Sequence, residues 1–159
     1  MNPPKIKASK LQYGDKVATV SLSCGGTGTI PHHNQTGKQQ YQDKFKLQVV
    51  EIQHTLADSE WISRNPEARA EDLMLAFSNP EIKGVISSIG GDDSIRILPF
   101  LDLDVIRNNP KVFLGYSDTT ITHMDFGHID PMMTLPYSVQ AEIDCDQQQF
   151  RIIENAVID

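Results

Sequence analysis

A serine that directly follows an apolar strand is the residue in this chain best suited to covalent chemistry. Residues 111–114 (Lys-Val-Phe-Leu) run into residues 115–119 (Gly-Tyr-Ser-Asp-Thr). A serine on a sharp turn at the carboxyl end of a buried strand is where α/β hydrolases hold their nucleophile. The hydrolase pattern is Gly-x-Ser-x-Gly, and here Thr119 stands in the last position. Two interpretations stay open: Ser117 is a nucleophile, or Ser117 or Asp118 only caps the helix that follows.

A glycine-rich turn ends the preceding apolar strand and could serve the same site. It reads Gly-Gly-Asp-Asp-Ser over residues 90–94. Backbone N–H groups that point at a developing oxyanion stabilise it, and glycine lets a substrate approach the backbone closely. We therefore predict that the N–H groups of Gly91 and Asp118 form an oxyanion hole. Asp92 and Asp93 could act as a metal or acid–base pair, but adjacent carboxylates at a strand-to-helix turn are more typical of helix caps, and no metal site is predicted.

Other side chains near these turns could bind a substrate. Arg96 lies one helical turn beyond the paired aspartates, where it either pairs with one of them or reaches a substrate carboxylate. Trp61 either lines the cleft or covers the core. The residues predicted to bind substrate are Gly90, Asp92, Asp93, Ser94, Arg96 and Trp61. No histidine is well placed to take the proton of Ser117, so solvated or packed side chains are expected for His32, His33, His54, His123 and His128.

Composition narrows the range of partners. The formal net charge of −7 and the pI near 5.1 argue against nucleic-acid binding, which needs a basic face. No apolar run reaches the roughly 18 residues that a membrane span needs, and the amino terminus lacks the apolar core of a signal peptide. Cys24 and Cys145 show no Cys-x-x-Cys spacing, so neither a disulfide framework nor a zinc site is indicated. We expect a cytoplasmic protein.

The pattern alternates strands with helices along the chain. Strands are predicted over residues 16–23, 47–52, 84–89 and 111–114. The clearest helix begins at Asn65-Pro66, where Asn65 is expected to be the N-cap, and it stops at Asn79-Pro80. Other predicted elements are a loop over residues 25–37, helices over 38–46, from Ser94 and over 119–126, a strand over 132–139, and an apolar run over 150–158.

This alternation predicts an α/β fold with a Rossmann-like, doubly wound and mainly parallel sheet flanked by helices. Ligands of such sheets gather beyond the carboxyl ends of the strands. Residues 24–29, 90–94 and 115–118 all fall at those ends. The glycine cluster at residues 25–28 lacks both the Gly-x-Gly-x-x-Gly and the P-loop patterns, so a flexible rim of the cleft is favoured over a nucleotide site.

Three segments resemble a known family when they are taken together and in order. They are residues 65–74 (NPEARAEDLM), 89–99 (IGGDDSIRILP) and 113–120 (FLGYSDTT). They look like the amino-terminal domain of the LD-carboxypeptidase family of serine peptidases. The likeness runs from about residue 11 to residue 122. The Gly-Gly-Asp-Asp-Ser turn is similar to the microcin C immunity branch, whereas the muramoyl-tetrapeptide enzymes more often carry Gly-Gly-Tyr-Gly there.

The resemblance implies a cytoplasmic, cofactor-free enzyme with a Ser-His-Glu triad, commonly a homodimer. It implies that Ser117 is the nucleophile and that the N–H groups of Gly91 and Asp118 form the oxyanion hole. Residues 1–125 would be the Rossmann-like nucleophile domain, and residues 126–159 an irregular tail or the start of a linker. The family's triad glutamate and histidine come from a carboxy-terminal domain that this sequence does not include, so the chain alone is expected to be nearly inactive.

Two functions from different classes follow from these expectations. The first is a serine peptidase that hydrolyses a peptide or amide bond near a carboxylate through an acyl-enzyme on Ser117. Its partner would be a small peptide or nucleotidyl-peptide. The alternative is a non-catalytic module, derived from the same family, that binds such peptides without cleaving them.

Overall fold

The fold is built on a four-stranded parallel sheet that is covered on both faces. The computed structural model describes residues 7–119, 139–144, 147, 149–155 and 157–158. The strands stand in the order β2-β1-β3-β4. Their bounds are β1 Lys16–Val20, β2 Gln48–Glu51, β3 Ile82–Ser87 and β4 Val112–Leu114. The predicted doubly wound α/β fold is therefore confirmed, and its winding direction changes between β1 and β3.

Helices occupy the connections between these strands. Between β1 and β2 lie α1 (Gly26–Thr29) and α2 (Pro31–Phe45), and between β2 and β3 lie α3 (Ser59–Arg64) and α4 (Pro66–Ser78). A 3₁₀ helix (Ser94–Phe100) and α5 (Leu103–Asn108) lead to β4, and a second 3₁₀ helix (Ser117–Thr119) follows it. In the part of the chain that the structure describes, no helix is both long enough and apolar enough for a bilayer crossing.

The two faces of the sheet carry two different apolar clusters. Ala18 and Val20 of β1 belong to the larger cluster, which α4 covers, whereas Val17 belongs to the smaller one. This alternation follows from the two-residue period of a strand. Helix α4 contributes Ala70, Leu73, Ala76 and Phe77 to the larger cluster. The central strands β1 and β3 are buried on both faces, which is why they are predicted well from continuous apolar runs.

The prediction of a loop over residues 25–37 is wrong, because most of this segment is helical. Helix α1 occupies Gly26–Thr29, and α2 begins at Pro31, seven residues before the predicted helix start. Pro31 suits the first helical position because its missing N–H would have no intrahelical partner there. No residue of α2 is buried, so its sequence carries none of the apolar periodicity from which helices are predicted.

Asn65 and Asp93 stand at the N-cap positions, as predicted, but neither side chain caps its helix. Asn65 precedes α4, but its side chain makes no capping hydrogen bond and instead donates from Nδ2 to the Trp61 carbonyl oxygen at 2.7 Å. Asp93 precedes the 3₁₀ helix and likewise makes no side-chain cap. Pro66 does stand in the first turn of α4, as predicted. The proline therefore marks the helix start, while the polar side chain before it is used elsewhere.

The described part of the tail pairs with itself and with the amino-terminal segment. Strands β5 (Ala141–Asp144) and β6 (Gln149–Ile152) form an antiparallel pair, and Ser9 and Ile158 form a parallel bridge. The helix predicted from residue 119 and the strand predicted over 132–139 fall mostly on residues 120–138, which lie outside the described residues. The domain boundary at residue 125 stays a prediction.

The glycine cluster after β1 is required for packing. A Cβ added at Gly28 would lie 2.3 Å from the Leu56 carbonyl oxygen, and one at Gly37 on α2 would meet nothing within 4 Å. We expect Gly28→Ala to lower the free energy of unfolding by about 1–3 kcal/mol. Gly37→Ala, the matched control, should raise it by roughly 0.5–1 kcal/mol because alanine favours a helix interior. Urea denaturation of both variants measures the difference, and a Gly28→Ala variant as stable as the wild type would contradict this packing.

Candidate active site

The loops after β1, β3 and β4 meet at the carboxyl edge of the sheet. Ser23 follows β1, and its Oγ donates to Asp118 Oδ2 at 2.5 Å. The Ser94 N–H donates to the same oxygen at 3.0 Å, and the Asp93 N–H donates to Ser23 Oγ at 3.0 Å. The Ser94 hydroxyl also donates to the Asp118 carbonyl oxygen at 2.9 Å. One carboxylate therefore ties three strand ends together.

Ser117 stands in a strained turn directly beyond β4. Its φ of +54° lies in the left-handed region, which costs a non-glycine residue about 1–2 kcal/mol. Thr119 closes the turn, because its hydroxyl donates to the Tyr116 carbonyl oxygen at 2.8 Å and accepts the Tyr116 N–H at 2.7 Å. The residue that departs from the hydrolase pattern thus stabilises the bend. Strain of this kind is concentrated at functional sites in proteins.

The glycine pair after β3 lets two loops approach each other. A Cβ on Gly90 would lie 2.5 Å from the Ser117 Cβ and 2.7 Å from the Tyr116 carbonyl oxygen. A Cβ on Gly91 would lie 2.5 Å from Ser23 Oγ. Any larger residue at position 90 would push the Ser117 turn away. The pair therefore sets the distance between the predicted nucleophile and the turn predicted to supply oxyanion donors.

Hydrogen bonds make Asp118 a stronger acid than usual. Burial is the largest single influence and raises its pKa, but hydrogen bonds from Ser23, Ser94 and the Gly91 N–H together hold the pKa below the ordinary value of 3.8. Oδ1 of the same carboxylate is buried without a geometrically good partner. Because the Gly91 N–H faces this carboxylate, its predicted oxyanion role requires that N–H to be shared or released.

Asp93 is an ion-pair partner. Its Oδ2 lies 3.0 Å from Arg69 Nη2 and 3.3 Å from Arg96 Nη1. Arg69 is fully buried and was not predicted as a site residue. The signal was present in the sequence: Arg69 precedes Leu73 by four residues, so it lies on the apolar face of α4. Asp92 is exposed.

Arg96 and Trp61 face other parts of the carboxyl edge. Arg96 Nη1 donates to the Ser63 carbonyl oxygen at 2.7 Å, beside its contact with Asp93. Trp61 stacks on the His54 ring with centroids 4.5 Å apart, and both line an open cleft of about 510 Å³ beyond β2. Asp72 holds His54, since its carboxylate lies 3.1 Å from Nδ1. Substrate contact by Arg96 and Trp61 stays a prediction.

The described histidines make contacts that do not involve Ser117. His54 contacts Asp72 and Trp61, while His32 and His33 pack edge to face in the first turn of α2. His123 and His128 lie outside the described residues. Within residues 7–119 and the described parts of the tail, no cluster of three or more His, Cys, Asp or Glu side chains is arranged to hold a metal ion.

Comparison with known proteins places this geometry in a family. Residues 17–134 match the LD-carboxypeptidase N-terminal domain. The microcin self-immunity protein MccF of Escherichia coli is 39% identical over 116 residues, covering 72% of this chain and 33% of that protein. A putative carboxypeptidase of Vibrio cholerae is 32% identical over 115 residues, covering 72% and 34%. The chain thus spans about a third of the length of the curated relatives it matches.

Solved structures agree with these sequence matches. MccF in complex with aspartyl sulfamoyl adenosine superposes with a TM-score of 0.63 at 32% identity, covering 72% of this chain and 34% of that one. An MccF-like protein from Bacillus anthracis gives 0.65 at 31% identity over the same shares. The region that matches the family model, residues 17–134, includes all three strand-end loops. The chain belongs to the LD-carboxypeptidase family of serine peptidases and carries its amino-terminal domain.

Proposed function

We propose that this chain supplies the nucleophile domain of a serine carboxypeptidase-type hydrolase. The reaction is hydrolysis of a peptide or amide bond near a carboxylate, through an acyl-enzyme on Ser117. The observation that carries the proposal is the strained backbone of Ser117 at the end of β4, pressed against the glycine pair. A serine on such a bend is where α/β hydrolases hold their nucleophile, and Gly90 brings no Cβ against it.

The proposed reaction has two steps. Ser117 Oγ attacks the carbonyl carbon while its proton passes to a general base, which then protonates the leaving amine. Water attacks the acyl-enzyme in the second step and regenerates the hydroxyl. The N–H groups of Gly91 and Asp118 stabilise the oxyanion in both steps. By the family resemblance, the base is a histidine oriented by a glutamate, and both come from the carboxy-terminal domain.

The proposed substrate is a small peptide or nucleotidyl-peptide. Solved MccF structures contain aspartyl sulfamoyl adenosine in one case and glutamyl sulfamoyl guanosine in another, and both pair an acidic aminoacyl group with a nucleoside. In this chain, the proposed substrate contacts are Gly90, Asp92, Asp93, Ser94, Arg96 and Trp61. A cytoplasmic homodimer without a cofactor completes the proposal, on the strength of the resemblance.

The nucleophile can be tested with a fluorophosphonate probe. We expect Ser117 to be labelled when the carboxy-terminal part of the Escherichia coli relative is supplied in trans, since the base comes from there. Ser117→Ala should abolish labelling, while Ser78→Ala, at an exposed serine on α4, should leave it intact. Mass spectrometry of the labelled peptide identifies the site. Labelling that survives in Ser117→Ala would contradict the proposed nucleophile.

Ligand binding separates this function from the alternative of a binding module. Calorimetry with an aspartyl sulfamoyl nucleoside measures affinity for the wild type and for Ser117→Ala. A binding module predicts equal affinities and no turnover even with the second domain present. The proposed hydrolase predicts turnover of a cleavable peptide analogue that Ser117→Ala abolishes.

The backbone strain at Ser117 gives a second prediction. Ser117→Ala and Ser117→Gly both remove the hydroxyl, but only glycine adopts a positive φ without steric cost. We expect Ser117→Gly to exceed Ser117→Ala in free energy of unfolding by about 1 kcal/mol. Urea denaturation measures this difference. Equal stability of the two variants would show that the turn is unstrained.

The Asp118 carboxylate gives a pH-dependent prediction. Its folded-state pKa is depressed, so the ionised group contributes stability above its unfolded pKa of about 4 and loses that contribution as pH falls through the folded value. Asp118→Asn should cost about 1–3 kcal/mol at pH 7, and the difference from wild type should shrink below about pH 4. Unfolding free energies from pH 2 to 7 measure it.

Asp104→Asn serves as the matched control for this pH series. The Asp104 carboxylate is 74% exposed in its ion pair with Arg107, so its removal should change stability by less than about 0.5 kcal/mol. A pH-independent difference between wild type and Asp118→Asn would mean that the Asp118 charge does not hold the turn.

A further inference from the structure

A buried arginine on α4 connects two of the strand-end loops. Arg69 Nη1 donates to the Leu22 carbonyl oxygen beyond β1 at 2.9 Å, and Nη2 donates to Asp93 Oδ2 beyond β3 at 3.0 Å. The Arg69 side chain is 0% exposed and that of Asp93 is 23% exposed. A single planar group thus fixes the separation between the end of β1 and the glycine-rich turn.

Burial of this guanidinium is unfavourable unless it is compensated. Burial holds the pKa of Arg69 below its ordinary value, although the neighbouring Asp93 carboxylate opposes this shift. Nε remains buried without a hydrogen-bond partner. A buried ion pair of this kind is weak evidence for stability, because an apolar side chain of similar volume often stabilises as well or better. The geometry of the Arg69–Asp93 pair therefore says more about its role than its contribution to stability does.

Hydrogen bonds lead from this ion pair to the Ser117 turn. Asp93, held by Arg69, donates its N–H to Ser23 Oγ at 3.0 Å. Ser23 Oγ in turn donates to Asp118 Oδ2 at 2.5 Å. Asp118 adjoins Ser117, whose φ is positive. The first of these hydrogen bonds joins the loops after β3 and β1, and the second joins the loops after β1 and β4.

We propose that Arg69 is a positioning residue for the Ser117 turn, acting through Asp93 and Ser23 on the Asp118 carboxylate. The proposal deepens the proposed function and rests on it for the role of Ser117. This role requires the planar guanidinium group, because Nη1 and Nη2 donate to two different loops at the same time. A lysine ammonium keeps the charge but is a single point that cannot reproduce this fork.

The second arginine on Asp93 has a different character. Arg96 is 48% exposed and lies 3.3 Å from Asp93 Oδ2. Solvent and salt screen an exposed pair of this kind. Arg69 is therefore the residue expected to fix the position of the turn.

The test compares Arg69→Lys with Leu73→Ala in the 159-residue chain. Leu73 is a core residue one turn further along α4 and 5% exposed, so its truncation destabilises the same helix without touching the turn. Two quantities are measured under conditions in which circular dichroism shows that both variants are folded. They are the pKa of Asp118, from ¹³C NMR titration of its carboxyl carbon, and the fluorophosphonate labelling rate of Ser117 with the second domain in trans.

For Arg69→Lys we expect the Asp118 pKa to rise toward its ordinary value and the labelling rate to fall at least tenfold. For Leu73→Ala we expect no change in that pKa and less than a twofold change in rate. An unchanged Asp118 pKa in Arg69→Lys would overturn the proposal. So would an equal effect of Leu73→Ala, since that would reduce the role of Arg69 to general stability.

The two proposals can fail separately in this experiment. Absence of labelling in the wild type counts against the hydrolase function, whereas the Asp118 pKa still decides the role of Arg69. If Arg69→Lys does not fold, Asp93→Glu replaces it, because this variant keeps both charges of the ion pair but lengthens the side chain that Arg69 holds. The same rise in the Asp118 pKa is then expected, and its absence overturns the proposal.

Discussion

The geometry of the carboxyl edge depends on the carboxylate of Asp118. It accepts hydrogen bonds from Ser23 and from the Ser94 N–H, so the ends of β1, β3 and β4 share one acceptor. An ionised acceptor makes each of these bonds stronger than a neutral one would. Burial opposes ionisation, and the donors outweigh it. The Asp118 carboxylate thus stays ionised although it is half buried, because hydroxyl and backbone N–H groups donate to it.

The same edge concentrates features that lower stability. Ser117 has a positive φ. Two buried atoms, Oδ1 of Asp118 and Nε of Arg69, have no well-placed hydrogen-bond partner. Position 90 must be glycine, because any Cβ there would collide with the Ser117 turn. The apolar clusters on the two faces of the sheet compensate for these costs. Backbone strain and unpaired buried polar atoms that occur together at one place, above a regularly packed core, are characteristic of a functional site.

The sequence predicts those features that depend on neighbours in the chain. Apolar runs identify the strands, Pro66 marks the start of α4, and the two strand-end turns are recognisable from their residue types. Only the second half of helix α2 is predicted, because no residue of the helix is buried. Asp93 looks like a cap locally, yet its partner Arg69 lies 24 residues away, and Ser23 and Asp118 are 95 residues apart. Contacts of that kind follow from strand order, which no local pattern encodes.

The orientation of Gly91 has a consequence for the proposed reaction. Its N–H faces the Asp118 carboxylate, so a developing oxyanion would compete with an existing anion for one donor and would be repelled by it at short range. Net stabilisation then depends on the backbone N–H of Asp118, which lies in the 3₁₀ helix that begins at Ser117. The carboxylate that aligns the loops therefore also opposes the charge that the loops are proposed to stabilise. A site with this arrangement needs a cationic group near the oxyanion in the transition state, which is what a protonated histidine base from the second domain would provide.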